Sequence, residues 1–244
     1  LGIGGSALGA ALATGHSDSH YEMVRNIHLT TNLYGLVGLV IAGTLPYFVA
    51  TQARLKTSTR ATPRNVRLIV GWLAAMVVVA VVGFWSSHPA VAGAGLLGYA
   101  AGVLAVATIL PRVRRRQVRW AGPRLLQIGA GMVWWVLATV VYAAGVIGGA
   151  TDRWSALRAL AIGGFGQIVV GSFAYLAPVL RAGGHERLTA GFRVTRSWAG
   201  LVAANVAAAG ALAGSGWLMA AGLAVWALDG AARLVWFVMQ TRVG

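Results

Sequence analysis

Residues able to do chemistry are scarce in this chain, and three places concentrate them. The first is His16-Ser-Asp-Ser-His20-Tyr-Glu22-Met23, continued by Arg25, Asn26 and His28, which holds three of the five histidines and two of the five acids. Read as a helix, it places His16 and His20 one turn apart with Glu22 and Met23 nearby. Imidazole, carboxylate and thioether together suit copper better than magnesium or calcium. Read as a loop, the same residues are a polar connection. The second place is His28 itself, which opens an apolar run with Asn32 one turn on and Gly35 and Gly38 close by. Ionisable groups inside membrane segments are costly and usually face the bundle interior. An inward imidazole there can ligate haem iron, bond a quinol hydroxyl, or hydrogen-bond another helix. The third is Gly163-Gly164-Phe165-Gly166-Gln167 followed by Gly171-Ser172-Phe173-Ala174-Tyr175 and Pro178. Its glycines are spaced for close helix contact. Gln167, Ser172 and Tyr175 can bond a ring carbonyl or a neighbouring helix. His88 and His185 read as loop residues, and Asp229 has Arg233 one turn away as its natural ion-pair partner.

The elements that must position these residues follow from composition. Of 244 residues, 58% are hydrophobic and only 10% charged, against roughly 25% charged in soluble domains. Apolar runs of membrane-crossing length recur, at residues 27–50, 68–85, 91–110, 125–149, 157–180 and 198–239. The last is too long for one crossing, and Gly214-Ser215-Gly216 divides it. The expectation is an all-α, polytopic transmembrane helical bundle of about seven hydrophobic segments, one domain over residues 1–244. Residues 1–14 are apolar but too short to span. They read as the end of an incomplete helix and make the chain a candidate fragment of a longer one. No internal repeat is evident in the sequence.

Charge sets the expected orientation. The net charge of +15 lies mostly in loops 52–67, 111–124 and 181–197, while the alternate loops are nearly neutral. Such alternation marks cytoplasmic loops in a cell membrane, not a nucleic-acid surface. Residues 16–25 and His88 then fall on the outer side. Trp72, Trp85, Trp120, Trp154, Trp198 and Trp217 sit near segment ends, as interfacial rings do, while Trp134 and Trp135 lie deeper. With no cysteine, disulfides, thiolate metal sites and covalent haem attachment are excluded.

The stretch from Ile27 to Gly35, with Gly38 and Ala42-Gly43-Thr44-Leu45, resembles a helix of the nitric-oxide-response haem–copper membrane proteins. It resembles still more the membrane module ahead of cupredoxin domains in actinobacterial copper nitrite reductases and multicopper-oxidase-like proteins. Phe165-Gly166-Gln167 through Leu176-Ala177-Pro178-Val179-Leu180 and Gly183-Gly184 resembles a second signature of that module. Together these stretches cover about a sixth of the chain. The resemblance implies a distant helical relative of haem–copper oxidase core subunits. That is a membrane redox module taking electrons from quinol, using haem b or copper, and passing them to an extracytoplasmic copper domain. In this reading His28, Asn32, Gly35, Gln167 and Tyr175 contact the cofactor, and His16, His20, Glu22 and His28 are the candidate metal ligands. The haem–copper relatives carry a histidine and a glutamate where Thr30 and Thr31 stand here, so only His28 of that pattern carries over. Association into a homo-oligomer is compatible with the glycine-rich faces. A cofactor-free transporter, or a structural anchor for a catalytic partner, is the alternative.

Overall fold

A computed structural model describes residues 21–150, 152–181 and 184–239. Every regular element among them is helical. In chain order they are α1 (Tyr21–Gln52), α2 (Pro63–Trp85), α3 (Pro89–Ile109), α4 (Arg115–Ala121), α5 (Pro123–Ile147), α6 (Trp154–Leu180), α7 (Gly184–Val194), α8 (Trp198–Leu212) and α9 (Gly216–Met239). Six of them (α1, α2, α3, α5, α6 and α9) are long and apolar enough to cross a membrane. The expected seventh, α8, is apolar but only 15 residues long, about 22 Å at 1.5 Å per residue. That falls short of a hydrocarbon core of about 30 Å. The break between α8 and α9 falls where Gly214 allows it, at φ 69°.

The helices start and stop for local reasons. Thr62 caps α2 by accepting the Asn65 N–H at 3.2 Å, with Pro63 at the first helical position, where its missing N–H costs nothing. Pro89 does the same for α3. Pro46 lies inside α1 and cannot donate to the preceding turn. Two residues earlier, the Thr44 hydroxyl donates back to Val40 O at 2.8 Å. Trp72, expected at a segment end, stands well inside α2 because the helix begins at Pro63. Its indole donates to Gly98 O at 2.8 Å. Large apolar side chains face outward throughout, among them Val78, Val133, Phe173, Val202 and Leu228. Lipid is the solvent in which such a surface is not a liability.

The chain packs as two compact units. One gathers residues up to Tyr47, Thr57–Leu110 and Thr139–Arg153; the other gathers Phe48–Lys56, Pro111–Ala138 and the chain from Trp154 onward. In the first, Leu73, Val77, Ala80, Leu96, Tyr99 and Val103 form the α2–α3 core. In the second, Trp135 meets Phe165 edge-on at 5.1 Å, and buried Gln52 donates to Gly171 O at 3.0 Å.

Both units contain one long helix interrupted by a π-helical stretch. In α1 it runs Thr30–Gly38, and in α6 Leu160–Gly166. π turns are rare and recur at functional sites, because each displaces a carbonyl from the regular ladder. In α1 the Tyr34 carbonyl takes an extra bond, from the Tyr99 hydroxyl at 3.0 Å. The first interruption falls in the stretch opened by His28, and the second overlaps the Gly163–Pro178 stretch at Gly163–Gly166.

The hairpins α2–α3 and α8–α9 share more than a layout. A Cβ placed on Gly83 would stand 2.2 Å from Ala92 N, and one on Gly210 would stand 2.6 Å from Met219 N. A Cβ on Gly95 would stand 2.5 Å from Ala80 N, and one on Gly222 would stand 2.6 Å from Ala207 N. Each second-hairpin residue lies 127 positions after its counterpart (210 minus 83, and likewise for the rest). The turns agree too: Ser87 and Gly214, again 127 apart, have φ of 56° and 69°. One further pair is reversed in shape. Gly102 faces Leu73, whereas at the matching positions Gly200 faces Asp229. The likeness is hard to see in the sequence because lipid-facing positions accept almost any apolar residue, and only the close approaches at Gly83, Gly95, Gly210 and Gly222 demand a small one.

Candidate functional site

The first unit holds a cavity of about 410 Å³ at the Glu22 end of α1. Tyr21, Glu22, Met23 and Asn26 line it from α1, Phe84 and Ser87 from the α2–α3 turn, and Arg153 from beyond α5. Its size is that of a small-molecule site, and its wall mixes aromatic rings with a few polar groups, as such sites do. The Glu22 carboxylate receives a hydrogen bond from the Arg25 guanidinium three residues on, while its side chain stays 62% exposed. Asn26 is buried. Close approach of α2 and α3 at Gly83 is what seats Phe84 and Ser87 in the wall.

His28 is not among the lining residues. Two residues beyond Asn26, it points about 160° away around a regular helix. The Asn32 amide nitrogen stands 3.2 Å from His28 Nδ1 and 3.4 Å from Nε2. Gly35 is buried within the π stretch, beside Tyr34. Glu22 therefore goes with the cavity, whereas His28 and Asn32 form a separate pair. His16 and His20 lie outside the described residues. Among the described residues no three His, Asp or Glu side chains cluster as metal ligands do.

Gln167 and Tyr175 belong to the second unit and are not brought together there. They stand about 12 Å apart along α6. Buried Gln167 accepts from Asn205 Nδ2 at 3.2 Å and donates to Gly163 O at 3.1 Å, a carbonyl of the π stretch. Asn205 in turn accepts from Trp134 Nε1 at 2.8 Å. The chain of amides ties α5, α6 and α8 together at membrane depth. Tyr175 stacks on Phe192 with ring centroids 5.5 Å apart, at the basic end of the unit. Asn205→Leu is expected to strand both the Trp134 N–H and the Gln167 carbonyl. It should lower stability by about 1–2 kcal/mol, measured by denaturant unfolding in detergent. Unchanged stability would show that the amide chain does not hold these helices.

Sequence reasoning missed Phe84, Ser87, Arg153 and Asn205. Asn205 alone carried a signal, as a lone amide in an otherwise apolar run. No protein-family model, curated protein or solved structure matches the chain. Its fold and its long apolar helices define a polytopic α-helical membrane protein.

Proposed function

We propose that this chain is the membrane part of an oxidoreductase that takes electrons from quinol and passes them to an extracytoplasmic copper domain. The observation that carries the reading is the cavity of about 410 Å³ at the Glu22 end. It offers a quinol ring the faces of Tyr21 and Phe84, with Asn26 and Ser87 as polar contacts. Oxidation of a quinol to its quinone gives up two electrons, passed to the copper domain, and two protons, which leave for the outer water with the exposed Glu22 carboxylate, hydrogen-bonded by Arg25, as the relay at the cavity mouth. The alternation of loop charge supports an orientation with this end on the outer side of the cell membrane and the basic loops in the cytoplasm. His28, paired with Asn32 on a different face of α1, is the second candidate contact for a quinol or quinone.

Titration of the purified protein with a short-chain quinol tests this. Binding is expected, weakened roughly tenfold in Glu22→Gln, the loss of one hydrogen bond to a charged group. His28→Gln should fold and bind at the cavity as before, and show its defect in quinol-driven electron transfer. No binding by the parent protein, or equal binding by Glu22→Gln, defeats the cavity assignment. A haem band in the parent spectrum that His28→Gln loses moves His28 from quinol to haem b. The alternative of a structural anchor draws on one observation, that Gln167 spends its amide on Asn205 and Gly163.

A further inference from the structure

Three arginines of the second unit come together at its basic end. Arg124, at the start of α5, is 1% exposed. Its guanidinium lies 4.4 Å from the Phe192 ring centre and 6.0 Å from that of Tyr175. Arg124 Nε donates to Ala121 O at 3.2 Å, but Nη1 is buried with no partner. Arg196 and Arg54 are its charged neighbours, and both add like charge. Arg196 donates through Nη2 to Trp120 O, yet its Nε is also buried without a partner. Arg54 covers the Trp120 ring at 3.5 Å. The ion pairs among the described residues, Arg25 with Glu22 and Arg233 with Asp229, involve none of the three.

Like charges gathered at a membrane edge, one of them buried, require a counter-charge. Two orphaned N–H donors, on two different elements, require acceptors. A phosphate oxyanion supplies both at once, and guanidinium groups are matched to it in charge and geometry. The aromatic groups Trp120, Tyr175 and Phe192 hold the guanidinium planes in place from behind. We infer that Arg54, Arg124 and Arg196 form a phosphate-binding site at the basic ends of α5 and α8. An anionic phospholipid headgroup and free phosphate share that chemistry. The leaflet that basic loops face is rich in the former.

The test uses the whole protein in phosphatidylcholine nanodiscs, in three arms: phosphatidylcholine alone, with added phosphatidylglycerol, and with inorganic phosphate at matched ionic strength. The thermal midpoint is read in each, and native mass spectrometry counts retained phosphatidylglycerol. A midpoint raised by several degrees in the second arm, with lipid retained, identifies a headgroup site. A rise confined to the third arm identifies a free-phosphate site. Either rise should be lost in Arg124→Gln and Arg196→Gln and kept in Arg60→Gln, an exposed control. Arg54→Gln, at an exposed position, gives the same reading if the buried variants fail to fold; its apparent affinity should fall at least ~10-fold. No rise in either arm overturns the inference. So does a rise that the site variants share with Arg60→Gln.

Discussion

Gly83→Ala is expected to cripple the fold, although it adds a single methyl group. The new carbon would stand 2.2 Å from the backbone nitrogen of Ala92 and 2.6 Å from its Cα. These are main-chain atoms of the facing helix, so no rotamer change relieves the clash. The hairpin turn of Ser86 to His88 is too short to let α3 drift away locally. Overpacking a tight interior typically costs ~1–3 kcal/mol, and a clash with backbone belongs at or above the top of that range. Gly210→Ala should behave alike, its carbon meeting Met219 N at 2.6 Å. Gly43→Ala is the control, because nothing stands within 4 Å of the added carbon. Inside a helix that change should instead stabilise by about 0.5–1 kcal/mol through reduced unfolded-state freedom. Unfolding of the three variants in detergent measures all of this. A Gly83→Ala protein as stable as the Gly43→Ala protein would refute the close contact of α2 with α3.

The second large effect is expected at Asp229. Its carboxylate receives Arg233 Nε at 2.9 Å and the Ser197 hydroxyl, which itself caps α8 at Gly200 N. Arg233 Nη1 donates onward to Val194 O at 2.7 Å and to Arg196 O. One ion pair thus ties α9 to the end of α7 and the start of α8. Asp229→Ala leaves the guanidinium without its counter-charge, where breaking a buried pair costs about 3–5 kcal/mol. The side chains keep 17% and 29% exposure, so a loss near 3 kcal/mol is expected. Replacing both partners removes the stranded charge. Asp229→Leu with Arg233→Leu should recover most of the loss, measured in the same unfolding assay. A double variant no better than Asp229→Ala would mean that the carbonyl bonds of Arg233, and not the pair, hold α9.

The sequence states a membrane protein's fold class plainly, because hydrocarbon sorts residues more harshly than water does. Six span positions, the break at Gly214 and the Asp229–Arg233 pair were legible, each resting on one local rule, whereas α8, expected as a seventh span, is too short. Cavity walls were not. Phe84 and Ser87 reach the cavity only because Gly83 brings α2 against α3, which is a tertiary fact. His28 and Glu22 look like neighbours on paper, and helical rotation separates them. The arginines 54, 124 and 196 read as three unrelated loop charges, since their meeting depends on how three helix ends converge within one unit. By residue type Gln167 suits a ring carbonyl or a neighbouring helix equally, and the structure adds a bond from Asn205 on α8, which residue type alone does not reveal.

Two hairpins with the same close contacts at a constant interval of 127 residues present one scaffold in two settings. One of them can carry a wall for a ligand while the other only packs. The cavity residues Phe84 and Ser87 correspond to Ala211 and Gly214 in the second hairpin. There the same turn carries Ala and Gly at the positions that form the wall in the first hairpin. The arginine and Asp229 networks stand only on that second side. Engineering can exploit this division of labour: grafting Phe and Ser onto positions 211 and 214 asks the second hairpin to form the wall that the first one has.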